Sequence, residues 1–86
     1  MYTVNYTKDA LKTLRKLPRN VSAQIVNKIK QYAADPAGQA NNVKQLTGHP
    51  GYRLRVGDWR VLFTIDSGAL TLLVIKVGPR GSVYEG

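Results

Sequence analysis

The sequence predicts an α+β fold in the order β-α-α-β-β-β(-β), a helical hairpin packed on one face of a small antiparallel meander sheet. Three observations carry that prediction. The chain opens on a short alternating segment rich in strand formers. Two stretches with apolar residues at helical spacing follow. The second half then breaks into apolar or alternating runs separated by glycine-containing turns. Eighty-six residues without repeats or low-complexity segments make a single domain spanning 1–86.

Tyr2-Thr3-Val4-Asn5-Tyr6 reads as the first strand. Thr7 is placed to cap a helix, and Asp9 suits the positive end of its dipole. Ala10, Leu11, Leu14 and Leu17 form the apolar stripe of this helix, with Lys8, Lys12, Arg15 and Lys16 on the other face. Pro18 ends it, because proline lacks the amide donor and disfavours helix at the residue before it. Asn20 is expected to cap a second helix that runs to about Ala34, with Val21, Ile25, Ile29 and Tyr32/Ala33 as its stripe. Asp35-Pro36-Ala37-Gly38 stops that helix, and a polar loop is expected through Asn42. Tyr52, Leu54 and Val56 alternate with Arg53 and Arg55, as in a half-buried strand. Gly57-Asp58 is a two-residue hairpin turn with glycine where type II′ wants it, and Trp59 to Ile65 is the return strand. Asp66-Ser67-Gly68 is a second turn. Ala69 to Val77 is almost wholly apolar, which predicts a central strand covered on much of both faces. Gly78-Pro79-Arg80-Gly81 breaks it, and Ser82-Val83-Tyr84 is expected to add a short extended piece.

The charge narrows the function. Thirteen basic residues face five acidic ones, for a net charge of +8, so a polyanion or an acidic protein is the expected partner. The basic residues are spread along the chain: residues 1–43 hold seven against two acids, and residues 44–86 hold six against three. Composition alone therefore places no site. Cysteine is absent, which excludes disulfides, thiolate zinc sites and a thiol nucleophile. One histidine and five scattered acids give no metal-ligand spacing, so neither a metal nor another cofactor is expected. No apolar run reaches the roughly 18 residues of a membrane span. No apolar segment follows a basic one at the start, so a cytoplasmic protein is expected.

Arrangement places the site. If Gly57 and Asp58 are the loop, Arg55 faces Arg60, and alternation puts Arg53 on the same side. Three guanidinium groups then share one patch, although like charges opposite one another destabilise a sheet. An anionic ligand gives such a patch a purpose, and the planar fork of arginine suits phosphate. A solvated strand face is the plain alternative, but a solvated face would mix signs, and here Asp58 at the turn is the sole acid. Arg80 follows the last long strand. Tyr84 comes close behind it and offers a ring on which an unpaired base could stack. Lys44 and His49 precede the hairpin and are candidate substrate contacts. Gly78-Pro79-Arg80-Gly81 is not a phosphate-binding P-loop, since no Gly-Lys-Ser/Thr follows.

These segments resemble the RelE/ParE superfamily of type II toxin–antitoxin toxins along essentially the whole chain. The resemblance rests on Lys8-Asp9-Ala10-Leu11-Lys12 through Leu17, Lys44-Gln45-Leu46, Tyr52 through Val61, and Val77 through Tyr84. It implies a RelE-like fold akin to the microbial ribonucleases. In the RelE branch, basic residues on both hairpin strands, an arginine after the last long strand and a tyrosine near the C-terminus act on mRNA in the ribosomal decoding site. Arg53, Arg55, Arg60, Arg80 and Tyr84 match that set, which favours this branch over the gyrase-inhibiting ParE branch. The match departs from the best-known member in having Arg for Lys at the first pair and Thr47 for another arginine. Little chain follows Tyr84, where some relatives have a C-terminal helix.

The resemblance also implies a mechanism and partners. The mRNA 2′-hydroxyl attacks the adjacent phosphorus, leaving a 2′,3′-cyclic phosphate and a 5′-hydroxyl. Arg55, Arg60 and Arg80 stabilise the added charge, Arg80 protonates the leaving oxygen and Tyr84 orients the nucleotide. The base is left open among Tyr84, His49, Glu85 and a ribosomal group. The implied partners are mRNA on the ribosome and an acidic RelB-like antitoxin, in a higher-order hetero-oligomer. A ParE-like gyrase inhibitor and a non-catalytic nucleic-acid-binding module are the alternatives.

Overall fold

The computed structural model describes residues 1–48 and 50–80. Its elements are β1 (Thr3–Tyr6), α1 (Lys8–Lys16), α2 (Arg19–Ala34), a 3-10 helix (Ala37–Asn42), β2 (Val43–Gln45), β3 (Tyr52–Val56), β4 (Trp59–Asp66) and β5 (Thr71–Pro79). The predicted α+β class holds: the helices pack on one sheet, in the order β1-β5-β4-β3-β2. The meander from β2 to β5 is antiparallel, but β1 runs parallel to β5, so the sheet is mixed. A tight hairpin forces strand reversal, whereas a helical connection does not. Two helices carry the chain from β1 to the far edge. The meander then returns strand by strand until β5 lies beside β1, pointing the same way.

The fifth strand is β2, which pairs Val43, Lys44 and Gln45 with Leu54, Arg53 and Tyr52. It forms just after the loop expected through Asn42, in residues to which the sequence assigns no element. Three mostly polar residues leave no alternation to read, and the pairing with β3 makes them a strand. The predicted extension at Ser82–Tyr84 lies outside the described residues.

Thr7 joins three elements. Its Oγ1 accepts from the Ala10 N–H at 3.1 Å and so caps α1. The same hydroxyl donates to the Ile75 carbonyl at 2.7 Å, and the Thr7 N–H donates to the Val74 carbonyl at 3.0 Å. The second helix starts two residues earlier than expected, directly after Pro18, so Asn20 lies in its first turn and makes no cap. The Pro18 carbonyl takes the Val21 and Ser22 amides, and the Ser22 hydroxyl donates back to the Leu14 carbonyl at 2.5 Å.

The core lies between the layers. Ala10 and Leu14 of α1 and Ile25, Ile29, Tyr32 and Ala33 of α2 meet Leu54, Val56, Val61, Phe63, Leu72, Val74 and Val77 of the sheet. These are the predicted stripes, except that Leu17 and Val21 are half-buried at the edge of the core and Leu11 is exposed. Phe63 is fully buried between Tyr32 and Tyr52, at ring separations of 5.1 and 5.5 Å.

A bulge interrupts β5. Leu62 pairs with Lys76 and Phe63 with Val74, so Ile75 is an extra residue, and Ile75 and Lys76 are both exposed. The connection before β5 is longer than expected, because Leu70 takes φ 52° and Asp66 Oδ1 binds the Ala69 amide at 3.1 Å. The strand runs on to Pro79, past the break expected at Gly78. Among the described residues, no helix is long and apolar enough to cross a membrane.

The Thr7 bonds yield a stability prediction. Thr7→Val keeps the side-chain shape but removes both hydroxyl bonds. Urea unfolding should show a loss of about 1–2 kcal/mol with an unchanged m value. An unchanged midpoint would show that the hydroxyl does not hold the junction.

Candidate functional site

The helices cover one face of the sheet and leave the other open, and alternation sorts the side chains accordingly. Val56 pairs with Trp59 on the core side, and Arg55 pairs with Arg60 on the open side, as the two-residue turn predicts. Gly57 has φ +58°, and Asp58 is not among the positive-φ residues, which is the type II′ pattern. Arg53 lies two residues before Arg55 and shares its face, and the register of β2 sets Lys44 directly across from Arg53. Arg53, Arg55, Arg60 and Lys44 therefore line one cleft of about 140 Å³, together with Asn41 and Asn42. Gly78 pairs with Arg60 on its other side, so no side chain crowds the open face there.

The arginines are held differently. Arg60 Nη1 donates to the Gly57 and Trp59 carbonyls at 3.0 Å each, so its guanidinium is tied to its own turn. Both bonds leave from one nitrogen, and among the described residues Nη2 and Nε are left for a ligand. Arg55 Nη2 donates to Asn42 Oδ1 at 3.2 Å. Arg80 is brought beside the turn by its backbone amide, which donates to the Asp58 carbonyl at 2.7 Å. Partial desolvation holds the Arg60 guanidinium below its ordinary range, and the charges of Arg53, Arg80 and Arg55 lower it further against the opposing effect of Asp58. Arginine nonetheless stays protonated at neutral pH. The result is a fixed concentration of positive charge in an open cleft, able to bind a phosphate and to stabilise charge that develops on it.

Of the predicted site residues, the fold gathers Arg53, Arg55, Arg60 and Lys44 in one cleft and sets Arg80 at its rim. His49 and Tyr84 lie outside the described residues. Asn41 and Asn42 were not anticipated as lining residues. Their signal is weak in sequence because they end a 3-10 helix where a loop was expected. Among the described residues, no group of three or more His, Asp or Glu stands close enough to hold a metal.

The open face has a second, apolar half. Leu46, Pro50, Gly51, Leu62, Thr64 and Ile75 line a hollow of about 310 Å³ next to the arginines. The bulge contributes Ile75 to it, with 38% of that residue exposed.

Comparison with known proteins bears on the family and the fold. The model for the ParE toxin of the type II toxin–antitoxin system parDE matches residues 4–84. No curated protein sequence matches the chain. Among solved structures, the RelBE2 toxin–antitoxin complex of Mycobacterium tuberculosis is similar, with 28% identity and a TM-score of 0.78 over 92% of this chain and 98% of that one. The archaeal RelE–RelB complex of Pyrococcus horikoshii is 26% identical, with a TM-score of 0.79 over 95% and 98%. The intact E. coli RelBE complex is 29% identical, with a TM-score of 0.74 over 92% and 96%.

The cross-strand pair of like charges predicts a stabilising substitution. Arg55→Gln removes one of two facing cations and keeps a donor for Asn42. In low salt it should raise unfolding stability by about 0.2–1 kcal/mol, and the gain should shrink as salt screens the pair. Urea titrations at two sodium chloride concentrations check this. A loss of stability at low salt would show that the patch carries no repulsion.

Proposed function

The chain belongs to the ParE toxin family of type II toxin–antitoxin systems, within the RelE/ParE superfamily, and on that premise we propose that it is an endoribonuclease that cuts mRNA on the ribosome. The observation that carries this reading is the cleft of Arg53, Arg55 and Arg60 with Arg80 at its rim. Guanidinium groups concentrated around one point suit the charge that develops at a phosphorus under attack. The matching family model bears the ParE name, which favours gyrase inhibition as the second reading.

The reaction uses the substrate's own nucleophile. The 2′-hydroxyl oxygen bonds to the adjacent phosphorus and gives its proton to a base. The bond to the 5′-oxygen breaks, and that oxygen takes a proton to leave as a hydroxyl. The phosphorus carries additional negative charge in between. Arg60, immobilised by two carbonyls, meets that charge without reorganising, and Arg55 supports it from the facing strand. Arg80 steadies the charge that gathers on the leaving oxygen, which takes its proton from water. No described arginine is the base, because a guanidinium does not give up its proton; that role falls to Tyr84, His49, Glu85 or a ribosomal group. The ribosome supplies positioning, which lets a small open cleft act on a flexible strand.

The partner is an acidic antitoxin of the RelB kind. A net charge of +8 and the apolar hollow beside the arginines suit a segment that is apolar along one side and acidic along another. Copurification with the product of an adjoining gene should give a stable heterocomplex, with the sheet's open face protected from hydrogen exchange. Two soluble proteins that fail to associate would overturn the partner assignment.

Removing a preorganised donor at a developing oxyanion costs about 2.7–4 kcal/mol, roughly a hundred- to thousand-fold in rate. Arg60→Ala and Arg80→Ala should slow single-turnover cleavage of ribosome-bound mRNA by that factor, with circular dichroism unchanged. Tyr84→Ala should slow it less, and Lys12→Ala should match the parent. Folded Arg60→Ala and Arg80→Ala proteins that cut at the parental rate would overturn the mechanism. Loss of gyrase supercoiling activity without mRNA cleavage would establish the second reading.

A further inference from the structure

Resting on the nuclease reading, we infer that a groove around the hairpin tip is a second nucleotide subsite, which takes the nucleotide flanking the scissile phosphate. The groove is lined by Gln24, Lys28, Asn42, Arg55, Gly57 and Asp58. It meets the arginine cleft at a shared wall, since Asn42 and Arg55 line both. Their hydrogen bond makes that wall a ridge. A strand lying in the cleft and crossing the ridge enters the groove.

The groove exists because of three separate features. β2 pairs with β3 only as far as Leu54, so beyond that point Arg55 and Val56 have no β2 residue beside them. The 3-10 helix leaves the sheet at the same place and ends on Asn42. On α2, Gln24 and Lys28 are one turn apart and each precedes a core residue, Ile25 or Ile29, so they flank the buried stripe on one side. Lys28 is half-buried rather than projecting freely.

The lining chemistry fits one nucleotide. Lys28 and Arg55 offer charge to a backbone phosphate. The amides of Gln24 and Asn42 both donate and accept, and the Asp58 carboxylate accepts, as an unpaired base edge or a ribose hydroxyl requires. A bare phosphate would have no use for Asp58, and a duplex would have no free edge to offer.

The test is a nuclear magnetic resonance titration of the whole protein with two single-stranded oligonucleotides. Both carry 2′-deoxyribose at the scissile position so that neither is cut. One is a dinucleotide, and the other is a trinucleotide extended by the flanking residue. The trinucleotide should bind more tightly and move the Gln24 and Lys28 amide signals, whereas the dinucleotide should move those of the cleft and leave these two in place. Lys28→Gln should bring trinucleotide affinity down to that of the dinucleotide. It should also reduce the trinucleotide's salt slope by about 0.7 and leave dinucleotide binding unchanged. Equal binding of the two, or an equal loss of both in Lys28→Gln, would overturn the subsite and leave the nuclease reading standing. Failure of both to bind would also overturn the subsite, whereas the nuclease reading stands or falls on the cleavage of ribosome-bound mRNA.

Discussion

The two-residue turn at Gly57–Asp58 is the constraint on which the site depends. A left-handed glycine lets β3 reverse with the twist its strands prefer. That reversal fixes the register of the hairpin, and the register decides which side chains face the helices and which face away. Its carbonyls then complete the work: Gly57 holds the Arg60 guanidinium, and Asp58 holds the Arg80 amide. A turn one residue longer would shift every one of these relations, since a slip of one residue exchanges the two faces of a strand.

The domain divides its tasks between the two faces of one sheet. The covered face is wholly apolar at its centre, with Phe63 between two tyrosine rings and no polar side chain buried among the described residues. The open face concentrates like charges that work against folding. A core this uniform offsets that repulsion. Neither face asks anything of the other's side chains, so ligand binding can vary on one side while packing is kept on the other.

Much of this was legible in the sequence because local rules acted alone. The stripes of the two helices, the alternation through Tyr52–Val56 and the glycine turn each follow from a few neighbouring residues. Together they predict the shared face of Arg53, Arg55 and Arg60. What was not legible depends on partners far along the chain. The direction of β1 is decided when β5 arrives beside it, nearly seventy residues later by way of Thr3 and Thr71. Val43–Gln45 is a strand only because β3 lies next to it, and Asn42 reaches Arg55 only because that strand has just begun. The roles expected of His49 and Tyr84 rest on the family resemblance and on chemical type, and not on position.

The bulge in β5 bears on how the protein tolerates change. Strict alternation from Val77 would turn Ile75 inward and Val74 outward. The extra residue resets the phase instead, so Val74 and Leu72 return to the core. The pairing of β1 with β5 also ends at Val74, where the Thr7 amide takes the Val74 carbonyl and the Thr7 hydroxyl takes that of Ile75. The strand is thus two segments with separate periodicities, one bound to the first strand and one to the arginines. A residue gained or lost at this joint is absorbed locally, and the order of inward and outward positions on either side survives it.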